Sequence, residues 1–178
     1  MAISEGEMFS FQGRPHRLEI CEASKGRLEY APGIFKVFVS SRLRDPERSE
    51  DIAWRLEDWY RAKAVEVFQE RVRFFEEIMR MRATRIRVRT LKSQWGSCSN
   101  QGALSFNWRL VFAPPAILDY VVVHELTHIS HPNHSRRFWS AVGSVFPDFP
   151  KRRAWLRTQG HLLHLQTAPV VSFSKLEL

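Results

Sequence analysis

The order of elements written into this chain predicts an α+β fold. Three features carry that prediction. Short apolar runs broken by turn residues fill the first forty positions, one long stretch has helical periodicity, and two strand-like runs are followed by compact helices. The change of period near Pro46 divides the chain into a small N-terminal β subdomain over residues 1–45 and a larger unit over residues 46–178, which holds the long helix, a small sheet and the C-terminal helices. A chain of 178 residues suits one domain with such an appendage.

The first forty residues read as a β-meander. Runs at 9–12, 17–21, 27–30 and 35–39 are separated by Gly13-Arg14-Pro15, Ser24-Lys25-Gly26 and Ala31-Pro32-Gly33, which supply the backbone angles of tight turns. Beyond Pro46, Ile52, Leu56, Trp59, Val67, Phe68, Phe75, Ile78 and Met79 recur at helical spacing. They predict one amphipathic helix reaching about Met81, with its aromatic stripe in the core and Pro46 near its first turn. Arg85-Ile86-Arg87-Val88-Arg89 alternates strictly, so a strand there has one apolar and one basic face. A loop at 95–102 and a second strand at 103–112 follow. Pro114-Pro115 then opens a helix rich in Ile117, Tyr120, Val121, Val122 and Val123, which Pro132 is expected to end because proline cannot continue the hydrogen-bond ladder. Further helices are expected at 135–145, capped by Asn133, and at 150–159, stopped by Gly160.

Composition narrows the classes of function. With 44% hydrophobic and 26% charged residues, the chain can bury a core. No apolar targeting segment opens it and no stretch approaches a membrane span, which points to a soluble, cytoplasmic protein with no membrane partner. Cys21 and Cys98 are too few for a disulfide framework or a cysteine zinc site and fit a reducing compartment. A formal net charge of +8 favours anionic partners, nucleic acid first among them, without establishing one.

The densest chemistry lies in His124-Glu125-Leu126-Thr127-His128-Ile129-Ser130-His131-Pro132-Asn133-His134, which holds four of the seven histidines. Its first five residues read His-Glu-x-x-His. Positions i and i+4 of a helix share a face, so His124 and His128 can grip one metal ion, and Glu125 can reach a water on that metal as general base. The pattern arises by chance about 0.02 times in a chain of this length and composition. A zinc hydrolase is therefore the leading reading, with Zn2+ preferred by ligand type although imidazole also suits other divalent ions.

Catalytic zinc usually takes three protein ligands and leaves a fourth position to water. Downstream of His128 the candidates are His131, His134, Asp148, His161, His164 and Glu177. A glutamate ligand is disfavoured, since Glu177 sits in the tail. His131 is near enough to the helix end to crowd the same face. His134 lies past the Pro132 break, where the chain can turn back toward the metal, and is the favoured ligand. The spacing of His134 matches a three-histidine pattern with a glycine turn and a Met-turn. His131 occupies the glycine position and no methionine follows Met81, so that pattern is disfavoured. His161 and His164 read better as exposed or capping histidines.

The stretch Trp95-Gly96-Ser97-Cys98-Ser99, then Leu104-Ser105-Phe106-Asn107-Trp108-Arg109-Leu110, Ala113-Pro114-Pro115 and Tyr120-Val121-Val122-Val123-His124-Glu125-Leu126-Thr127-His128, closing on Asn133-His134-Ser135 and Phe138-Trp139, resembles the YgjP-like metallopeptidases. These are small proteins grouped with SprT-like and WLM-type zincins. The likeness runs in unbroken order over residues 85–160, and the β subdomain and long helix also suit the family. It implies a minimal zincin fold, in which a small sheet and an active-site helix are joined by a downstream element giving the third ligand. It implies His124, His128 and His134 as zinc ligands, Glu125 as catalytic base, and the strand at 103–108 as the edge beside the cleft. His131 departs from the family's usual run before Asn-His-Ser. The family's physiological substrates are mostly unassigned, so a peptide or protein substrate follows only as a class.

The expected function is a zinc-dependent metallopeptidase that hydrolyses peptide bonds with a zinc-activated water and Glu125 as general base. A substrate strand would pair along the 103–108 edge, and Tyr120, His131 and Asn107 are the candidates for an oxyanion donor. Two other readings stand beside it: a nucleic-acid-associated protein with structural zinc, and a protease acting on DNA-bound proteins, as SprT-like relatives do. The basic strand, Arg136-Arg137 and Lys151-Arg152-Arg153 motivate both. Against a structural zinc, such a site has no use for Glu125, and closed sites favour cysteine.

Overall fold

In the computed structural model of the chain, which describes residues 3–165, the N-terminal run folds into four strands: β1 (Met8–Phe11), β2 (Arg14–Glu22), β3 (Arg27–Ala31) and β4 (Ile34–Val39). They do not form the expected meander. The sheet order is β1-β2-β4-β3, with β2 and β4 parallel and the other pairs antiparallel. Burial explains the exchange. Phe35, Val37 and Val39 of β4 are sealed in the core, whereas β3 carries the exposed pair Arg27 and Glu29, 2.8 Å apart. The apolar strand takes the interior place and the charged one is left at the edge, where its open backbone groups meet water.

One helix, α1 (Glu47–Met79), runs for 33 residues. Its buried seam is Ile52, Leu56, Tyr60, Ala64, Phe68, Val72 and Phe75. This seam is straighter than the stripe of apolar residues in the sequence: Ile78 is exposed, Trp59 and Val67 only flank it, and a tyrosine sits inside it. The Tyr60 hydroxyl donates to the Ser10 carbonyl at 2.8 Å, and the Ser10 hydroxyl donates to the Phe112 carbonyl at 3.0 Å. Further along, Phe68 stacks on Phe106 with ring centres 4.5 Å apart. Through these contacts α1 joins two separate sheets into one continuous core.

The second sheet has three strands, β5 (Arg85–Arg89), β6 (Gly96–Cys98) and β7 (Ala103–Asn107), in the order β5-β7-β6. β5 is parallel to β7 and β6 antiparallel. The strand expected at the edge, β7, is therefore central, and the edges are β5 and β6, the latter within the stretch expected to be a loop. Three residues of glycine, serine and cysteine give no strand signal of their own; pairing with β7 makes them extended. The run expected to stay extended to Phe112 bends after Asn107 into a short 3₁₀ helix, Trp108–Phe112. Asn107 causes the bend: its side-chain oxygen accepts from the Arg109 N–H at 3.2 Å while its amide donates to the Leu91 carbonyl at 2.9 Å.

Three helices follow, α2 (Pro115–Thr127), α3 (Arg136–Val145) and α4 (Phe149–Gln159). α2 ends before Pro132 is reached. The N–H groups of His128, Ile129 and Ser130 each bond three residues back, a tightening that closes the last turn. α3 is capped by Ser135, whose hydroxyl accepts from the Phe138 N–H at 3.3 Å, and not by Asn133. Gly160 does not stop the coil but begins a 3₁₀ turn, Gly160–Leu162. Among the described residues no helix is long and apolar enough to cross a membrane.

The tie between α1 and β1 can be tested. Tyr60→Phe removes one hydroxyl and leaves the buried Ser10 carbonyl without its donor, so it should lower stability by about 1–2 kcal/mol in equilibrium urea unfolding. An unchanged midpoint would count against the role assigned to this bond.

Candidate active site

α2 is apolar on almost every side. Ile117, Leu118, Val121, Val122, Val123 and Leu126 are all buried, against α1, β6, α3 and α4. The exception is the face of Tyr120, His124 and His128, spaced four residues apart and so aligned along the helix. This face opens on a cleft of about 690 Å³, whose opposite wall is β6 with Trp95 and Gln94.

The structure brings His124, His128 and His134 together. One ring nitrogen from each lies within 4.8 Å of the others, and no other such cluster occurs among the described residues. His134 arrives from the segment between α2 and α3, with its Nε2 3.0 Å from Nε2 of His124. Two nitrogens on one tetrahedral zinc at about 2.0–2.1 Å are separated by about 3.3 Å, so the spacing is close to that of a ligand pair. His128 donates from Nδ1 to the His131 carbonyl at 3.1 Å, which fixes its tautomer and leaves Nε2 facing the cluster. His131 thus acts through its backbone, and its side chain stands outside the cluster. Asp148 is paired with Arg152 at 3.0 Å, while His161 and His164 lie outside the cluster. Glu177 lies outside the described residues.

Aromatic packing holds the three imidazoles in place. Phe138, fully buried, touches all of them with ring centres 4.6–4.9 Å away. Trp139 stacks on His134 at 5.5 Å. Both aromatic residues sit in the first turn of α3, so the Ser135 cap that starts this helix also sets their position.

Electrostatics at the cluster follow from burial. His124 Nδ1 is sealed from solvent with no hydrogen-bond partner. Burial, and then the charges of His128, His134 and Arg153, pushes its pKa down to about 3. His134 is lowered by burial and by His128 and Arg153 in the same way. Neutral imidazole is the form that gives a lone pair to a metal, so these ligand candidates are held ready. Glu125 is only 6% exposed, and burial pushes its carboxyl up to about 8. No cation pairs with it among the described residues. Converging neutral nitrogens beside an uncompensated buried carboxyl form a donor set that fits a divalent metal ion.

Glu125 is wedged against β6. A Cβ added at Gly96 would come within 2.6 Å of Glu125 Cγ and 2.7 Å of its Oε1, so only glycine lets the strand pass this close. Trp95 packs less tightly over Gly160, where an added Cβ would meet its ring at 3.0 Å. β6, Trp95 and Arg153 line the cleft without having been legible as cleft residues in the sequence. The signal that was present is Gly96, since a glycine within a strand marks a close approach. Of the three oxyanion candidates, Tyr120 lines the cleft. Asn107 is committed to Leu91, Gln94 and Arg109, and the His131 side chain does not line it.

The donor set is one that could hold a metal ion. The model of the YgjP-like metallopeptidase domain matches residues 1–159, and the chain belongs to this family. Among solved structures it is similar to the metallopeptidase zymogen of Pyrococcus abyssi abylysin, with 22% identity and a TM-score of 0.46 over 52% of this chain and 95% of that one. No curated protein matches the chain.

The Gly96 contact makes a prediction that separates metal binding from turnover. Gly96→Ala should retain the bound metal, measured by elemental analysis, because no histidine is displaced. Peptide hydrolysis should fall by about 10²-fold or more as the Glu125 carboxylate is driven from its place. Wild-type turnover in this variant would show that the contact is not limiting.

Proposed function

We propose that the protein is a zinc-dependent peptidase in which His124, His128 and His134 hold the ion and Glu125 is the general base. The observation that carries this reading is the buried Glu125 carboxyl, raised to about 8 and set beside three converging imidazoles. A structural zinc site has no need of such a group. When bound there, zinc supplies Lewis acidity and brings the pKa of the water it holds to about 7. Beside a bound dication Glu125 would hold its carboxyl in the ionised form that a base needs. Glu125 takes the proton of the attacking water and passes it to the leaving nitrogen. His131 keeps His128 in the ligating tautomer through its carbonyl. An extended peptide pairs with the outer edge of β6, so backbone hydrogen bonds at Gly96–Cys98 align the scissile bond beside Glu125. Val121, Ile129 and Leu156 give the cleft apolar walls for substrate side chains.

The test combines metal content with cleavage of a generic protein substrate such as labelled casein. Glu125→Gln should keep one zinc per chain and lose about 10²–10⁴-fold in rate. His134→Ala should lose the metal, whereas His131→Ala should keep it, because a backbone carbonyl survives the change. Undiminished cleavage by Glu125→Gln sinks the mechanism, and metal loss confined to His131→Ala overturns the ligand set.

A second reading concerns partners. Arg85, Arg87 and Arg89 all point outward from β5, are exposed, and have no ion-pair partner among the described residues. They favour contact with nucleic acid, which would bring the peptidase to proteins bound there. Duplex DNA binding that weakens steeply with salt, and loses slope when the three arginines are replaced by glutamine, is the expected result; no binding at low salt removes the reading.

A further inference from the structure

Beside the histidine cluster, the cleft carries a single arginine among the described residues. Arg153, on the exposed side of α4, lines the cleft together with Tyr120. Its guanidinium sits over the Trp139 ring at 4.9 Å, and that same ring stacks on His134. Arg152, its neighbour, is bound to Asp148, but Arg153 has no carboxylate partner among the described residues. Through the Trp139 ring Arg153 is held on the His134 side of the cluster.

Tyr120 stands one helical turn before His124 on the ligand face of α2, with the two rings 5.9 Å apart. Its hydroxyl makes no hydrogen bond among the described residues and, unlike His124 Nδ1, is not sealed from solvent. A phenol inside the core is expected to find a partner. Here the open space in front of it is the substrate cleft.

We infer that Arg153 and Tyr120 form the electrophilic wall of the cleft and donate hydrogen bonds to the scissile carbonyl oxygen as it becomes an oxyanion. The inference rests on the peptidase reading above. In the first step the water oxygen bonds to the carbonyl carbon, the water proton goes to Glu125, and the C=O π pair moves onto the oxygen. In the second step that pair returns, the C–N bond breaks, and the Glu125 proton goes to the leaving nitrogen. Negative charge on the oxygen is greatest between these steps. Donors fixed in advance stabilise that charge without rearranging. Trp139 supplies the fixing for the guanidinium, and the buried ring supplies it for the phenol.

The experiment uses zinc-loaded full-length protein with Tyr120→Phe, Arg153→Ala and Arg153→Lys. Cleavage of labelled casein is measured beside the affinity for a phosphinic peptide, whose tetrahedral anion mimics the oxyanion. Tyr120→Phe keeps the ring and so keeps the packing, which thermal unfolding and zinc content monitor. The expected result for Tyr120→Phe and Arg153→Ala is a fall in kcat of about 10²–10³-fold with KM nearly unchanged. Phosphinic-peptide affinity should weaken by a similar factor, with zinc content intact. Arg153→Lys should recover part of both. Unchanged kcat, or a rise in KM alone with unchanged phosphinic-peptide affinity, overturns the inference and makes Arg153 a ground-state contact. Should wild-type protein bind zinc yet leave casein intact, the peptidase reading fails its own test, and the phosphinic-peptide arm still decides here. Equal binding by wild type and variants, or none by either, overturns the inference.

Discussion

Everything in this molecule is arranged around a helix that must be buried and yet must present imidazoles to a cleft. α2 is apolar almost all the way round, so α1, β6, α3 and α4 close on it from different directions. The one face left open is the row of Tyr120, His124 and His128. Burial of the remainder fixes the helix rigidly, which is what a ligand set requires, because a shift of an ångström at a catalytic group carries a large penalty in rate. The long α1 provides the foundation: its seam holds the β1 sheet through Tyr60 and the second sheet through the Phe68–Phe106 stack.

The same burial creates the chemistry. His124 is driven to its neutral form, and its Nδ1 is left without a partner, a state that proteins seldom tolerate. Glu125 is driven the other way, toward its protonated form, in a niche that Gly96 shapes by having no side chain. Both are unfavourable in an ordinary core. A dication held there would take up the imidazole lone pairs and favour the carboxylate form of Glu125. Local strain against folding rules at one place, with regular packing elsewhere, is the pattern expected of a functional site.

Much of this was legible in the sequence, where a strong period or an obligatory residue pattern was present. The four N-terminal strands and the helix over 47–79 appear close to where alternation and helical spacing put them. Strand order was not legible, since a local pattern says which residues are extended but not which neighbour they choose. The preference of β4 over β3 for the interior depends on Phe35, Val37 and Val39 meeting α1. β6 was read as loop because its three residues are extended only by virtue of pairing with β7. The C-terminal end of α2 and the cap of α3 were misplaced by a few residues for a similar reason. Pro132 sets a latest stop for the helix, whereas the actual stop is the tight turn after His128.

The sequence by itself determined the reactive groups and their spacing on α2, because a four-residue step on a helix puts side chains on one face whatever surrounds it. It also carried the family to which the chain belongs. Only the tertiary structure decided how His134 and Glu125 are placed. The turn after α2, the Ser135 cap and the Phe138 and Trp139 rings bring His134 to within 3.0 Å of His124. The approach of β6 over Gly96 buries the carboxyl. Both placements rest on contacts between residues distant in sequence, and short-range periodicity holds no record of such contacts.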